Sequence, residues 1–168
     1  NKDSLERVLV KNPMIKSAQV YYSLDGYIHV NIQQREPVLR VLTGEGYYVD
    51  RDGRVMPLSS KFTSRVVVAT GDINKKFACE KLGPFAMKLK NEPFWDAYIE
   101  QLVVRSNEDV VMIPKVGDFR IVLGKVDDCE ARLEKLMLFL KDGITKKGWN
   151  RYKEINLKFD NQVVCVRK

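Results

Sequence analysis

Short apolar segments separated by turn residues follow one another from Pro37 to the end of the chain. Several of them alternate apolar with polar residues, which is typical of β-strands, and glycine or aspartate stands in the intervening turns. This pattern predicts a sheet of many short strands. Strands are predicted over residues 38–42, 47–50, 55–58, 66–70, 99–104, 110–113, 119–123, 152–159 and 163–167.

Two longer segments show helical spacing of apolar residues instead. The first is predicted over Lys75–Leu89, although Gly83-Pro84 lies within it. The second runs from Val126 to Leu140 and ends at Asp142-Gly143, with a stripe of Leu and Met on one face. We interpret that stripe as core packing, because such stripes are far more often core than ligand grooves.

The first 36 residues have a different character. Leu5, Val8 and Leu9 recur at helical spacing, with Asp3 or Ser4 as the expected cap. Asn12-Pro13 should end this helix and begin a second short one. A β-hairpin follows, with a tight turn at Asp25-Gly26. Its alternating apolar residues are Ala18, Val20 and Tyr22 on one strand, and Ile28, Val30 and Ile32 on the other.

Arg35-Glu36-Pro37 marks the change between these two patterns, and it predicts a domain boundary. Residues 1–36 would form one domain and residues 37–168 another. The predicted fold class is α+β. Helices and a hairpin come first, followed by a mixed, mainly antiparallel β-sheet domain with covering helices.

Charge and cysteine content narrow the function only a little. The net charge is +7, and eight Lys and Arg against three acids fall between Lys141 and Lys168. Such a basic segment suits an acidic partner, nucleic acid or anionic lipid, or simply favours solubility. No run approaches the ~20 apolar residues of a membrane span, so any anchor is expected before Asn1.

Three widely spaced cysteines fit neither a disulfide framework nor a zinc site and are expected in the core: Cys79, Cys129 and Cys165.

No constellation of catalytic residues stands out, so we predict a non-enzymatic protein without cofactor or metal. The single histidine, His29, lies on the polar side of a predicted strand with no evident partners. The sequence Asp50-Arg51-Asp52-Gly53 departs from a calcium loop, because Arg54 and Val55 stand where a ligand and a glycine are required. It predicts a turn in which both aspartates accept from local amides and Gly53 takes positive φ.

Nucleic-acid binding is not predicted. In a strand, Lys153, Ile155, Leu157 and Phe159 share one face, which places Phe159 beside the core and away from a basic surface. No RNA-binding motif is present.

Four segments of the chain follow one another in a recognisable order. They are Asn12-Pro13-Met14-Ile15 with the following hairpin, Gln34–Val38, Tyr47–Leu58, and Pro114–Gly124 with the long helix and the closing hairpin. Their order resembles the FtsQ family of bacterial division proteins, called DivIB in Gram-positive bacteria, and Tyr47–Leu58 is the most specific of the four. The first segment is similar to the end of a POTRA domain, and the second to the junction with the β domain. The POTRA domain's usual first strand has no counterpart, so residues 1–36 resemble a truncated POTRA domain.

The resemblance implies a divisome scaffold on the periplasmic face of the inner membrane, anchored by a single helix. It implies FtsB- and FtsL-like partners at the C-terminal strand, and other divisome proteins at the POTRA-like part. Val163–Val166 is apolar on both faces, which would suit a strand that takes up a partner strand; the alternative is an internal strand paired on both sides. The partner-binding residues carried over are Phe159, Asn161, Gln162, Val163, Val164, Cys165, Val166 and Arg167.

Two further expectations follow. A proline at Val164 should remove a backbone donor and block strand addition. The alternative function is a POTRA-type periplasmic chaperone or assembly module that binds clients by strand addition. Such modules usually repeat the POTRA unit or precede a membrane barrel, which this chain does not.

Overall fold

A computed structural model describes residues 1–61, 63–144 and 148–168. The helices are α1 (Lys2–Val10), α2 (Lys75–Phe77), α3 (Gly83–Asn91), α4 (Pro93–Tyr98) and α5 (Glu130–Leu138), with π-helical turns at Ala78–Leu82 and Phe139–Ile144 and a 3-10 turn at Trp149–Arg151. The strands are β1 (Ile15–Tyr22), β2 (Ile28–Gln34), β3 (Pro37–Val41), β4 (Tyr47–Asp50), β5 (Val55–Met56), β6 (Val67–Gly71), β7 (Ile99–Val104), β8 (Val110–Pro114), β9 (Arg120–Gly124), β10 (Tyr152–Asn156) and β11 (Val164–Arg167).

The predicted N-terminal hairpin is confirmed, since β1 and β2 pair antiparallel as a sheet of their own. Helix α1 packs on β1 and buries Ala18 and Val20. Its cap is Asn1, whose side chain accepts from the Asp3 N–H, and not Asp3 or Ser4. The prediction of a second short helix after Pro13 was wrong, because residues 12–14 form a turn and β1 begins directly at Ile15.

The other nine strands form one mixed sheet in the order β11-β10-β9-β8-β7-β6-β3-β4-β5. Three pairings are parallel, namely β10 with β9, β6 with β3 and β7 with β6. The remaining five are antiparallel, and the predicted mixed, mainly antiparallel sheet is therefore confirmed. Two predicted strands are shorter than expected, because β5 ends at Met56 and β10 ends at Asn156.

Helices α2 to α5 cover one face of this sheet, where the main core lies. Leu39, Ala69, Leu102 and Ile121 point from the strands into this core and are fully buried. Leu82, Phe85, Leu133 and Leu136 meet them from the helices. The Leu and Met stripe of α5 is thus core, as predicted, and the α+β class with covering helices is confirmed.

The helix predicted over Lys75–Leu89 is present, with a π-helical turn at its centre. The Gly83 N–H bonds the Ala78 carbonyl, five residues back. Pro84 has no N–H to continue a regular ladder, which accounts for an irregular turn at this point. Helix α4 was not predicted. It begins at Pro93 and stacks Phe94 on Tyr98, with ring centroids 5.2 Å apart.

None of the described helices is both long enough and apolar enough to cross a membrane.

Candidate partner-binding edge

Strand β11 lies at one end of the nine-stranded sheet, and within residues 1–61, 63–144 and 148–168 it pairs only with β10. The predicted site residues fall on this strand and on the loop before it. Phe159, Asn161 and Gln162 lie in the loop, and Asn161 takes the left-handed turn conformation with φ of 55°. The alternative prediction, that this strand is internal and paired on both sides, is therefore wrong. Its outer side has no partner strand among the described residues and is here the free edge.

Hydrogen-bond alternation shows which backbone groups occupy that free edge. The Lys168 N–H bonds the Arg151 carbonyl on the β10 side. Backbone groups alternate in direction along a strand, so those of Val164 and Val166 also face β10. Those of Cys165 and Arg167 face outward, where they are available to another strand. Val164→Pro would therefore break the β10–β11 hairpin and leave the free edge intact, and Cys165 is the position to substitute.

Side chains of β11 divide between the two faces of the sheet. Cys165 lies opposite the fully buried Ile155 and packs against the main core, as does Val163. Val164 and Val166 point to the other face, opposite Asn156 and Glu154, and Val166 is 38% exposed. An added strand would extend the core on one side and cover these two valines on the other.

Phe159 does not lie beside the core, contrary to the alternation predicted for residues 152–159. It is 47% exposed, while Leu157 is fully buried. The regular alternation ends because β10 stops at Asn156, whose side chain accepts from the Lys158 N–H. Phe159 is thus an apolar side chain at the surface, next to the free edge.

Two lysines hold the loop before β11 in place. Lys135 of α5 donates to the carbonyls of Leu157 and Phe159, at 3.2 and 2.6 Å. Lys158 crosses β9 at Gly124 and reaches Asp109, with Nζ 2.5 Å from Oδ2. Lys158 and Lys125 hold the pKa of the buried Asp109 carboxyl below its usual value, with the Lys158 hydrogen bond as the main cause. These contacts fix the position at which β11 begins.

Positive charge surrounds the edge. Arg151, Lys153 and Arg167 are exposed, and Lys168 pairs with Asp118 at 3.0 Å. The opposite edge of the sheet differs, because β5 is only two residues long and Pro57 follows it. A partner strand would find few backbone groups there.

The other sequence-predicted features have clear positions. His29 is exposed, stacks on Tyr21 at 4.9 Å, and has Nε2 3.1 Å from the Ser23 hydroxyl. Ser23 in turn donates to Asp25. The Ser23 proton is thus directed to Asp25 and not to the imidazole, the reverse of an activated nucleophile.

The predicted turn after β4 is confirmed in part. Asp50 Oδ1 accepts from the amides of Asp52 and Arg54, and Gly53 has φ of 74°. Asp52 does not cap the turn but pairs with Lys16, at 2.9 Å.

The three cysteines lie in the main core or against it. Cys129 is fully buried, and Cys79 and Cys165 are partly buried against the core. Burial raises the pKa of all three thiols, which favours the unreactive protonated form. In the described parts of the chain no group of three His, Cys, Asp or Glu is placed to hold a metal ion.

A cleft of about 470 Å³ lies where α3 and α4 meet the start of β6 and β7. Its apolar lining includes Val66, Leu89 and Trp95, and its charged lining carries both signs. Arg65, Lys90 and Lys115 contribute positive charge, and Asp96 and Glu100 negative charge.

The family model described as FtsQ/DivIB, C-terminal related, matches residues 36–166. The chain belongs to the FtsQ/DivIB family. The family match confirms the resemblance read from the sequence, and gives the chain a role in bacterial cell division. Members of the FtsQ/DivIB family are membrane-anchored, non-enzymatic scaffolds with an extracytoplasmic domain, and other divisome proteins are their partners. No curated protein matches the chain.

Sequence reasoning missed three properties of this FtsQ/DivIB-family edge. It did not show which amides point outward, that Phe159 is exposed, or that Lys158 bonds Asp109. The first follows from the register with β10, and the last joins residues 49 positions apart. The only sequence feature that pointed toward the Lys158–Asp109 contact was the basic character of the C-terminal segment.

Proposed function

We propose that this protein is a divisome scaffold that takes up a strand of an FtsB- or FtsL-type partner along β11. The observation that carries the proposal is the free edge itself. The amides of Cys165 and Arg167 point away from β10, on a strand with apolar side chains on both faces. Main-chain pairing would supply affinity, and the side chains on each face would supply selectivity.

Charge around the edge supports a partner segment with acidic residues. Arg151, Lys153 and Arg167 are exposed on the described surface near β11. Opposite charge on the partner would raise its association rate, with a dependence on ionic strength. Phe159, Asn161 and Gln162 would contact the end of the added strand, next to the loop that Lys135 holds.

Residue-resolved amide exchange tests strand addition directly. We expect the Cys165 and Arg167 amides to gain protection when the extracytoplasmic FtsB–FtsL segment of the same organism is added. Val164 and Val166 should change little, because β10 already protects them. Binding with protection confined to another surface would keep the family and overturn this site.

A matched pair of variants separates the backbone from the side chain. Cys165→Pro removes an outward N–H, whereas Cys165→Ala keeps it and loses the same thiol. We expect Cys165→Pro to weaken partner binding about tenfold or more relative to Cys165→Ala. Equal affinities in two folded variants would count against strand addition.

Residues 1–36 would act as a separate, POTRA-like recruiting domain, and residues 37–168 as the β domain that binds the partners. Support comes from the apolar face of β2, where Ile28, Val30 and Ile32 are 45–55% exposed. The outer edge of β1 is covered, since Glu6 accepts from the Val20 N–H at 2.7 Å. This leaves β2 as the accessible side.

Localisation of the full-length protein tests that division of labour. We expect Ile28→Ser with Ile32→Ser to impair its arrival at the division site while FtsB–FtsL affinity is kept. Asn31→Ser, on the opposite face of β2, is the control. Loss of both properties would contradict two separate binding domains.

The family match to residues 36–166 favours this role over a chaperone or assembly module. Placement at the periplasmic face of the inner membrane follows from the same proposal.

A further inference from the structure

We infer a second docking surface, on the sheet face opposite α2 to α5, which fits an amphipathic helix carrying a carboxylate. It is centred on Arg40 of β3, well away from β11 in the strand order. The inference does not depend on the partner proposed for β11.

The residues of this surface follow from strand register. Arg40 lies beside Tyr48 on one side and Val68 on the other. Val68 lies beside Gln101, and Gln101 beside Ile113. Their in-sequence neighbours Leu39, Ala69 and Leu102 are fully buried in the core, so this row points to the opposite face.

Arg40 is unusual on this face because it has a buried donor without an acceptor. Its Nε is buried and makes no hydrogen bond, and its guanidinium lies over the Tyr48 ring, 5.9 Å from the centroid. Among the residues that the structure describes, no carboxylate forms an ion pair with it. A cation–π contact supplies no hydrogen-bond acceptor, so the buried Nε–H of Arg40 is left without one.

Toward β8, the residues in register with Arg40 on this face are uncharged. Val68, Val103 and Ile113 are partly buried, and Gln101 donates to the Thr70 hydroxyl at 2.9 Å. On the other side the Ser64 N–H bonds the Tyr48 hydroxyl, which places Ser64, between β5 and β6, against Tyr48. Arg40 therefore lies where a loop-covered part of the face meets an apolar floor.

These features define the occupant. A strand cannot pair with the face of a sheet, because backbone groups there are already bonded to neighbouring strands; helices pack on faces. From β3 to β8 the floor is about 14 Å wide at the usual strand spacing, which about ten helical residues span. An apolar stripe on that helix would cover the floor, and an Asp or Glu would pair with Arg40 in the planar geometry that guanidinium favours.

Photo-crosslinking of the full-length protein in its own bacterium tests this surface. A p-benzoylphenylalanine at Gln101 or Ile113 should form an adduct with a different protein, through a segment that mass spectrometry identifies as acidic and amphipathic. The same probe at Lys76, exposed on the helical side, controls for random collision. No adduct from either face position, or an adduct with a second copy of this chain, would overturn the inference.

Two variants test the role of Arg40. Arg40→Met should lower the adduct yield about tenfold. Arg120→Met should leave it unchanged, because Arg120 lies on the same face with Glu154 as its partner, 3.9 Å away. An adduct yield that stays the same in Arg40→Met would contradict the proposed recognition of a carboxylate by Arg40.

A further variant distinguishes loss of recognition from loss of folding. Val68→Glu places a carboxylate beside Arg40 within the chain, so it should raise Tm and abolish the adduct together. A lower Tm with an unchanged adduct would show that Arg40 needs no carboxylate. Cys165→Pro separates the two surfaces, since it should weaken FtsB–FtsL binding and leave this adduct intact.

Discussion

At the scale of single residues, Asp109 shows how a buried charge holds the candidate edge. Its carboxylate is 3% exposed and accepts from Lys158, the residue that leads into the loop before β11. Lys125 lies 3.6 Å away on the other side. An acid held in this way contributes to stability only while it is ionised.

The pH dependence of stability tests this contact. The folded pKa of Asp109 is lowered, so its contribution is present above the unfolded value of about 3.9 and is lost as pH falls through the folded pKa. We expect Asp109→Asn to cost about 1–2 kcal/mol near pH 7. The difference from the parent should shrink below pH ~4. Urea unfolding at several pH values measures it, and a constant difference would contradict the ion pair.

Gly71 illustrates a backbone requirement at the same scale. Its φ is +104°, and a Cβ there would lie 2.2 Å from the Val104 carbonyl oxygen of β7. Gly71→Ala should therefore cost more than about 2 kcal/mol. Gly26→Ala is the control, since Gly26 also has positive φ but open space around it, and about 1 kcal/mol is expected. Equal Tm losses would show that strain alone, and not the contact with β7, sets the cost.

At the scale of elements, β11 is the strand on which function and stability meet. It gives half of its backbone groups to β10, and the other half pair with no strand in the part of the chain that the structure describes. A short strand with an unpaired side would be at risk of aggregation, and the exposed cations nearby reduce that risk.

Amide exchange of the free protein checks the assigned direction of these groups. The Val164 and Val166 amides should exchange about tenfold or more slowly than those of Cys165 and Arg167, because only the former are bonded within the sheet. NMR-detected exchange resolves the individual positions. The opposite alternation would mean that the β10–β11 register is shifted by one residue, with Val164 on the free edge.

At the scale of the whole molecule, the junction between residues 1–36 and the large sheet is built from ion pairs. Arg35 donates to Asp50 at 2.8 Å, and both side chains are largely buried. Glu36 pairs with Arg51 and Lys90, and Lys16 with Asp52. The turn after β4 therefore serves as the support on which the N-terminal hairpin rests.

Removing Arg35 should weaken that support. It leaves the buried Asp50 without its charged partner, so Arg35→Ala should cost about 2–3 kcal/mol. Arg51→Ala removes an exposed pair and should cost less than ~1 kcal/mol. Thermal unfolding compares the two, and residual dipolar couplings report whether the hairpin keeps its orientation. Similar losses would mean that burial of the Arg35–Asp50 pair is unimportant.

Local patterns predicted much of this architecture correctly. Period-two alternation located the strands, helical spacing located α1, α3 and α5, and the Asp50–Gly53 sequence indicated its turn. Each of these depends on residues close together in the chain, whose steric and hydrogen-bonding preferences act locally.

The position of β11 at an edge, the outward direction of the Cys165 amide and the exposure of Phe159 were decided by the tertiary structure alone. So was the buried Nε of Arg40 that makes no hydrogen bond. Strand order depends on pairings between distant segments, such as β3 with β6 and β9 with β10. Alternation along one strand tells which residues share a face. It carries no information on what lies beside that strand or against that face, because those neighbours come from elsewhere in the chain.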